Sequence, residues 1–159
     1  MATDKELKQA KAVFSSLCDA LNKMGWKYKI DEEKLRVSYG VNGDDLLMDF
    51  VISCDAERQL VRLHSVLSYK FPEDKRVEGA IAVNEANYKM AHGCFDYDLS
   101  DGMVVFRLVN TYNNSLLGYE LFEYMVNVSA STVDRYNDLF FMLGKGMITL
   151  QNYMEKIDE

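Results

Sequence analysis

Proline is almost missing from this chain, in which Pro72 is the only one among 159 residues, and the sequence has only two histidines and three cysteines. So few soft ligands leave little material for a metal cluster or a disulfide framework. Long apolar runs are missing too, since none approaches the roughly 18 residues of a membrane helix. The mixed-charge start, Met1–Glu6, is unlike a signal peptide. We therefore predict a cytoplasmic protein without membrane contact, whose free buried thiols are Cys18, Cys54 and Cys94.

Positive charge is also in short supply. The chain has 18 Lys and Arg against 25 Asp and Glu, a net charge of −7. Residues 1–80 are close to neutral at −1, whereas residues 81–159 carry −6. Proteins that bind phosphate backbones do so mainly through Lys and Arg. Nucleic acid and anionic membrane are therefore not expected as partners.

No recognisable catalytic or cofactor motif is present. The nearest approach to a metal site or to a nucleophile with its base is made by two pairs, His92 with Cys94 and Cys54 with His64. Neither pair has the ligand spacing typical of structural zinc sites. A third orienting group and an oxyanion-hole pattern are missing as well. Buried thiols and a histidine at a helix end explain these residues better.

Two further patterns also favour a structural interpretation. Asp96 and Asp98 alternate on one predicted strand face, where two carboxylates could act as acid and base. Beside a turn, they are more often the wet face of an edge hairpin. Gly144-Lys145-Gly146 lacks the preceding strand and the glycine spacing of a phosphate loop, and it is better interpreted as a helix break. The sequence therefore predicts a protein that is not an enzyme and binds no cofactor or metal.

The most informative feature that is present is the segment Val41-Asn42-Gly43-Asp44. It separates two runs, 35–41 and 46–54, that alternate apolar and polar residues as strands do. Asn-Gly tolerates the positive φ angles of a type I′ turn. We therefore predict an antiparallel hairpin with a type I′ turn, and we expect Phe50 to be buried in it.

Helical and strand patterns flank this hairpin on both sides. A helix is predicted from Asp4 to about Met24, with Thr3 and Glu6 in capping-box register and Gly25 as its stop. The remaining elements are strands at 26–30, 60–69, 94–98 and 103–112, a helix at 73–92 after Pro72, and a helical region at 117–153 with breaks at 129–131 and 144–146. Trp26 and Phe106 are expected to be buried. The predicted fold is a single α+β domain, 1–159, with a four-strand antiparallel meander, a hairpin, and N-terminal, middle and long C-terminal helices.

This order of elements resembles the YbjN-like family of bacterial proteins, described as sensory transduction regulators with a type III secretion chaperone-like fold. The resemblance covers nearly the whole chain and depends on element order and hydrophobic pattern. The segments that carry it are Leu21–Gly25 with Trp26-Lys27-Tyr28, the meander through Phe71-Pro72, Asn84-Glu85-Ala86-Asn87, Phe106-Arg107, and Thr132–Tyr136. It implies a non-enzymatic domain that dimerises and binds a protein partner, and it implies no catalytic residues.

The expected function is therefore a protein-interaction module, chaperone-like or regulatory, that binds a partner or client segment and forms a homodimer. The alternative is a small-molecule-binding regulatory domain that uses a concavity between sheet and helices. Methionine and phenylalanine in the last helical region suggest an adaptable surface, although such a stripe is more often core. The predicted partner or dimer surface consists of Leu47, Val51, Phe122, Met125 and Phe141.

Overall fold

The computed structural model describes residues 1–158, and its strands form one antiparallel sheet of six strands in the order β1-β2-β3-β4-β6-β5. The strands are β1 Lys29–Asp31, β2 Arg36–Asn42, β3 Leu47–Asp55, β4 Leu60–Val66, β5 Cys94–Asp98 and β6 Met103–Thr111. The helices are α1 Asp4–Lys23, α2 Arg76–Lys89, α3 Tyr119–Gly144 and α4 Leu150–Asp158. This architecture confirms the predicted α+β class, with a meander of β1 to β4 and a β5–β6 hairpin added beside β4.

All four helices lie on the same side of the sheet. Burial along β3 alternates strictly, so that Phe50 and Ile52 are fully buried whereas Leu47 and Asp49 are exposed. Helices α1, α2 and α3 contact the sheet directly, and α4 packs on α2 and α3. The core therefore lies between one sheet face and the helix layer. Its aromatic centre includes Phe95, which packs edge-on against Phe106 and against two rings of α3.

The N-terminal helix begins and ends as its sequence predicts. The Thr3 hydroxyl accepts a hydrogen bond from the Glu6 N–H at 3.3 Å, and the Glu6 carboxylate accepts one from the Thr3 N–H at 2.7 Å. This reciprocal pair is the predicted capping box. At the other end, Gly25 has a φ of 77°, and the Trp26 N–H donates to Leu21 O at 3.0 Å. That bond spans the end of the helix and keeps Trp26 out of the sheet, so the strand predicted at 26–30 begins only at Lys29.

The predicted type I′ turn is wrong, although the hairpin itself is confirmed. Asn42 pairs with Leu47, which leaves a loop of residues 43–46, and Gly43 is not among the residues with positive φ. The glycine is needed for space instead, because a Cβ there would lie 2.2 Å from Asp134 Oδ1. The Asp44 N–H also donates to Asp134 Oδ1 at 2.9 Å. Docking on α3 therefore shapes this loop.

Two other boundaries differ from the prediction. The strand predicted at 60–69 ends at Val66, and the chain continues along β6 through single bonds from Leu67 and Phe71 before Pro72 leads into a short 3₁₀ turn. Helix α3 runs without a break through Ser129-Ala130-Ser131. Ser129 is fully buried there, where its small side chain suits a close helix contact. The break predicted at Gly144-Lys145-Gly146 is confirmed.

Candidate functional site: the uncovered face of the sheet

Within residues 1–158 no helix covers the second face of the sheet, which we call the open face. Its side chains alternate with the core residues along the strands, and most of them are half-buried by their neighbours. The central residues of this face are Arg36, Ser38, Leu47, Asp49, Val51, Ser53, Arg62, His64, Val105, Arg107 and Val109. A six-stranded sheet with one bare face is the main structural feature that the core does not use.

Arginine and aspartate form ion pairs across the open face. The Arg36 guanidinium lies 3.1 Å from Asp31, Arg62 lies 2.8 Å from Asp55, and Arg107 contacts Asp96 at 2.6 and 2.9 Å. The two bonds from Arg107 are the main reason why the pKa of Asp96 is lowered. Such exposed pairs contribute little stability by themselves. They do hold polar groups in fixed positions around the valines of this face.

The centre of the open face mixes apolar and polar side chains. In the ladder, Val51 lies between Ser38 and His64, and His64 lies opposite Arg107. Burial lowers the pKa of His64, and the nearby charges of Arg62 and Arg36 lower it further, which favours the neutral imidazole.

The structure does not bring the five predicted surface residues together. Leu47 is 59% exposed and Val51 is half-buried, both on the open face. Phe122 and Met125 lie on the core side of α3 and are fully buried, so their assignment to a surface is wrong. The sheet and α1 of the same chain cover that side of the helix. Phe141 is half-buried in the helix layer, where its ring packs edge-on against Tyr69 at 5.2 Å.

An exposed apolar stripe on α2 is a second candidate surface. Val77, Ile81 and Tyr88 lie on one side of this helix and are 69%, 42% and 85% exposed. Small residues form the buried side of α2 instead, and they are Gly79, Ala82, Val83 and Ala86. A Cβ at Gly79 would lie 2.7 Å from the Phe71 ring, so α2 approaches the core closely. The recurrence of small residues was the signal that could have identified the buried side.

The residues considered for catalysis are engaged in structural contacts. The carboxylate of Asp98 accepts bonds from the N–H and hydroxyl of Ser100, and that of Asp96 is held by Arg107. Burial raises the pKa of the Cys54 thiol to about 12 and also raises that of Cys94, which disfavours a thiolate at neutral pH. Residues 1–158 contain no cluster of three or more metal-ligating side chains, and none of their helices is long and apolar enough to span a membrane.

Among several surface cavities, one lies between α1 and the β1 edge of the sheet and has a volume of about 640 Å³. Leu7, Phe14 and Leu35 contribute apolar surface, while Lys11 and Glu32 contribute charge. Pockets of this size and composition bind small molecules in many proteins.

The structure is an α+β domain whose helices all cover one face of an antiparallel sheet. The chain belongs to the YbjN family, whose model, described as "putative bacterial sensory transduction regulator", matches residues 14–142. The crystal structure of YbjN, described as "a putative transcription regulator from E. coli", has a TM-score of 0.56 and 11% sequence identity, and the match covers 76% of this chain and 85% of that one. The resemblance stated from the sequence is thereby confirmed, and the structural likeness shows the fold.

A second solved structure also matches, the HopA1–SchA chaperone–effector complex. The TM-score is 0.46 at 16% identity, and the match covers 73% of this chain and 87% of that one. Comparison with the curated proteins finds no match.

Proposed function

We propose that the protein is a non-enzymatic protein-binding module, regulatory or chaperone-like, and that its open face binds the partner. The uncovered sheet is the observation that carries this proposal. The six strands have 40 residues in total, and at about 3.3 Å per residue and 4.8 Å between strands they cover roughly 630 Å² in flat outline. Standard protein interfaces bury about 800 Å² of accessible surface on each partner, and side chains make the accessible area of this face larger than its outline, so its size suits a protein contact.

The chemistry of the open face also fits a protein partner. Val51 and the valines of β6 supply apolar surface, and the three arginine–aspartate pairs lie between and beside them. Protein interfaces likewise combine apolar side chains with polar groups, among which arginine is enriched. Arginines that already carry a carboxylate partner are poor ligands for a phosphate backbone. We place the function in the cytoplasm, where free thiols such as buried Cys54 remain reduced.

The partner is tested by comparing the proteins that two variants retain. Val51→Glu places a charge in the centre of the open face, and Met147→Glu places the same charge at an exposed position after α3, outside both proposed surfaces. We expect proteins captured from the native cell by the unaltered chain to be lost from Val51→Glu and kept by Met147→Glu. Direct binding of the purified partner should show the same order. Equal capture by the unaltered chain and Val51→Glu would contradict the proposal.

We further propose that the protein is a homodimer and that the α2 stripe forms its interface. Val77, Ile81, Asn84 and Tyr88 follow one another at steps of four, three and four residues, which is the seam spacing of a helix that pairs with another helix. A two-fold axis between Ile81 and Asn84 would place Val77 against Tyr88 of the second copy. The same axis would place acidic Glu73 near His92 of the second copy. This interface differs from the sheet-and-helix interface that the sequence suggests.

The alternative function is a regulatory domain for a small ligand, and the cavity between α1 and β1 favours it. An apolar ligand there would contact Phe14 and Leu35, and it would cover the half-buried Cys18. A metabolite screen by thermal shift tests this alternative with Phe14→Ala and Leu7→Lys as cavity variants. A ligand whose stabilising effect disappears in Leu7→Lys would support the alternative, and a screen without such a ligand would contradict it.

A further inference from the structure

Strand β6 is longer than the strand beside it. It spans Met103–Thr111, and its pairing with β5 ends where Arg107 lies opposite Cys94. On its other side, β4 pairs with it as far as Thr111. Within the part of the chain that the structure describes, the segment Leu108–Thr111 therefore has no neighbouring strand on the β5 side. We call this segment the free edge.

The alternation of hydrogen bonds shows which main-chain groups face the gap. The Phe95 N–H and C=O both bond to the side chain of Asn87, outside the sheet. A residue in an antiparallel strand directs its N–H and C=O to the same side. Because those of Phe95 point away from β6, those of its neighbour Cys94 point towards β6, where Cys94 pairs with Arg107. Arg107 therefore directs its own N–H and C=O towards β5, and Val109 and Thr111, two and four residues further along β6, direct theirs to the same side, into the gap.

The gap opens into a cavity of about 360 Å³ that includes Leu108, Val109 and Asn110 of the free edge. Its opposite wall consists of Leu121 and Tyr124 on α3 and of Ala91 and His92 after α2. The Tyr124 ring is 43% exposed and packs edge-on against His92 at 5.4 Å. A free strand edge thus lies beside an aromatic and aliphatic wall.

Gly93 keeps the chain itself out of the gap. Its φ of 76° turns the connection between α2 and β5, and a Cβ there would lie 2.6 Å from the Phe106 ring. β5 therefore starts at Cys94, one residue later, and cannot extend along the free edge. The opening is a consequence of this turn.

We propose that an extended segment of a partner protein adds to the free edge of β6 as an additional strand in line with β5. This inference rests on the proposed protein-binding function and adds a second contact for the partner, at the sheet edge beside the open face. Only an extended main chain can satisfy the paired N–H and C=O groups of Val109 and Thr111. Side chains of the segment opposite Leu108 and Asn110 would face Tyr124 and Leu121, so they are apolar. The side chain opposite Val109 would lie on the open face beside Arg107, where polar residues fit.

The test uses random heptapeptides displayed on phage and selected against the immobilised full chain. Enriched peptides are then measured by fluorescence anisotropy against three variants. Val109→Pro removes the N–H that faces the gap without removing a bond to β4, a position where a sheet tolerates proline. Tyr124→Ala removes the aromatic wall, and Met147→Ala is the control at an exposed position outside both proposed surfaces.

We expect Val109→Pro and Tyr124→Ala each to weaken binding by about tenfold or more, the effect of one lost hydrogen bond or one aromatic contact, and Met147→Ala to change it less than about twofold. Hydrogen exchange should slow at the Val109 and Thr111 amides when peptide binds. Circular dichroism checks whether Val109→Pro folds. If Val109→Pro does not fold, the affinity of Tyr124→Ala for the peptides decides the test.

Three results would overturn the inference. Peptides that bind Tyr124→Ala normally but lose affinity for Val51→Glu would bind the open face, which refutes the edge site and leaves the proposed function standing. Protection of the Val109 amide by self-association, without peptide, would assign the edge to a second copy. Selection that enriches no peptide sensitive to Tyr124→Ala would also refute it.

Discussion

The side chain of Asn87 takes the place of a neighbouring strand at Phe95. Its Nδ2 donates to Phe95 O at 2.9 Å, and its Oδ1 accepts from the Phe95 N–H at 2.7 Å. An unpaired edge invites association with other strands. The Asn87 amide of α2 thus satisfies the main-chain groups of Phe95 on the outer edge of β5, whereas the neighbouring segment Leu108–Thr111 of β6 has no such partner among the described residues.

Asn87→Ala should destabilise the protein by about 1–3 kcal/mol, because it leaves both main-chain groups of buried Phe95 without their partners. Urea denaturation measures this loss. Asn127→Ala on the exposed side of α3, outside both proposed surfaces, is the matched control and should cost less than about 0.5 kcal/mol. Equal stability of the two variants would show that water replaces the Asn87 amide without cost.

Gly43→Ala should destabilise the protein and loosen the β2–β3 loop from α3. The added Cβ would lie 2.2 Å from Asp134 Oδ1 and 2.7 Å from Leu46 O, so the loop must move. Gly40→Ala is the control, since its Cβ would find its nearest neighbour at 3.6 Å. Thermal unfolding compares the two variants. If Gly43→Ala unfolds at the same temperature as Gly40→Ala, the contact with Asp134 does not shape the loop.

Phe50→Ala should cost about 3–5 kcal/mol, because the ring is fully buried and stacks on Tyr39 at 5.4 Å. Trp26→Ala should cost less, since the indole is only half-buried and lies outside the sheet. Denaturant unfolding measures the loss of stability in each variant. A cost below about 1 kcal/mol for Phe50→Ala would mean that the sheet face it occupies is not the core face.

Much of the fold could be predicted because it depends on local signals. The capping box at Thr3 and the glycine at position 25 act within one helix turn, and the alternation along β3 is visible in the sequence. The conformation of the loop at Gly43 depends on Asp134, 91 positions away, and no local pattern reveals that contact. Ser129 was expected to break a helix, but in the core its small size is an advantage.

The candidate site was harder to predict, because its location depends on which face of each element is covered. Phe122 and Met125 form an apolar stripe whether a sheet or a partner covers it. On α2 the larger side chains of Val77 and Ile81 are exposed, because close packing required the smaller residues on the core side. Val51 and Leu47, which the sequence places on the partner or dimer surface, lie on the open face, because strand alternation fixes that side once one face is known.

Asp138→Asn should stabilise the protein at neutral pH. Burial raises the pKa of Asp138, and the charges of Asp45, Asp134 and Asp44 raise it further. A carboxyl group whose pKa is higher in the folded state holds its proton more tightly there, so its contribution to stability falls as pH rises from the ordinary carboxyl pKa through the raised one. At pH 7 the charged form therefore opposes folding, and the amide removes that cost.

The gain from Asp138→Asn should disappear below the ordinary carboxyl pKa, where the group is protonated in both states. Chemical denaturation at pH 7 and pH 3 measures the difference. Asp19→Asn, which changes the net charge equally on exposed α1, is the control and should leave stability nearly unchanged. Stabilisation of the same size by Asp19→Asn would mean that net charge alone is responsible.

The proposed dimer and the proposed partner surface can be separated by two substitutions. Ile81→Lys places a charge in the middle of the α2 stripe, whereas Val51→Glu places one on the open face. If α2 forms the dimer, Ile81→Lys should yield a monomer by light scattering at concentrations where the unaltered chain and Val51→Glu are dimers. Ile81 is 42% exposed, so the charge can reach solvent in the monomer and the fold should survive, which circular dichroism checks.

Because the two surfaces lie on opposite sides of the sheet, a monomeric Ile81→Lys should still bind the partner through the open face. A monomer of Val51→Glu together with a dimer of Ile81→Lys would move the interface to the sheet, and an unaltered chain that stays monomeric up to millimolar concentration would refute the dimer.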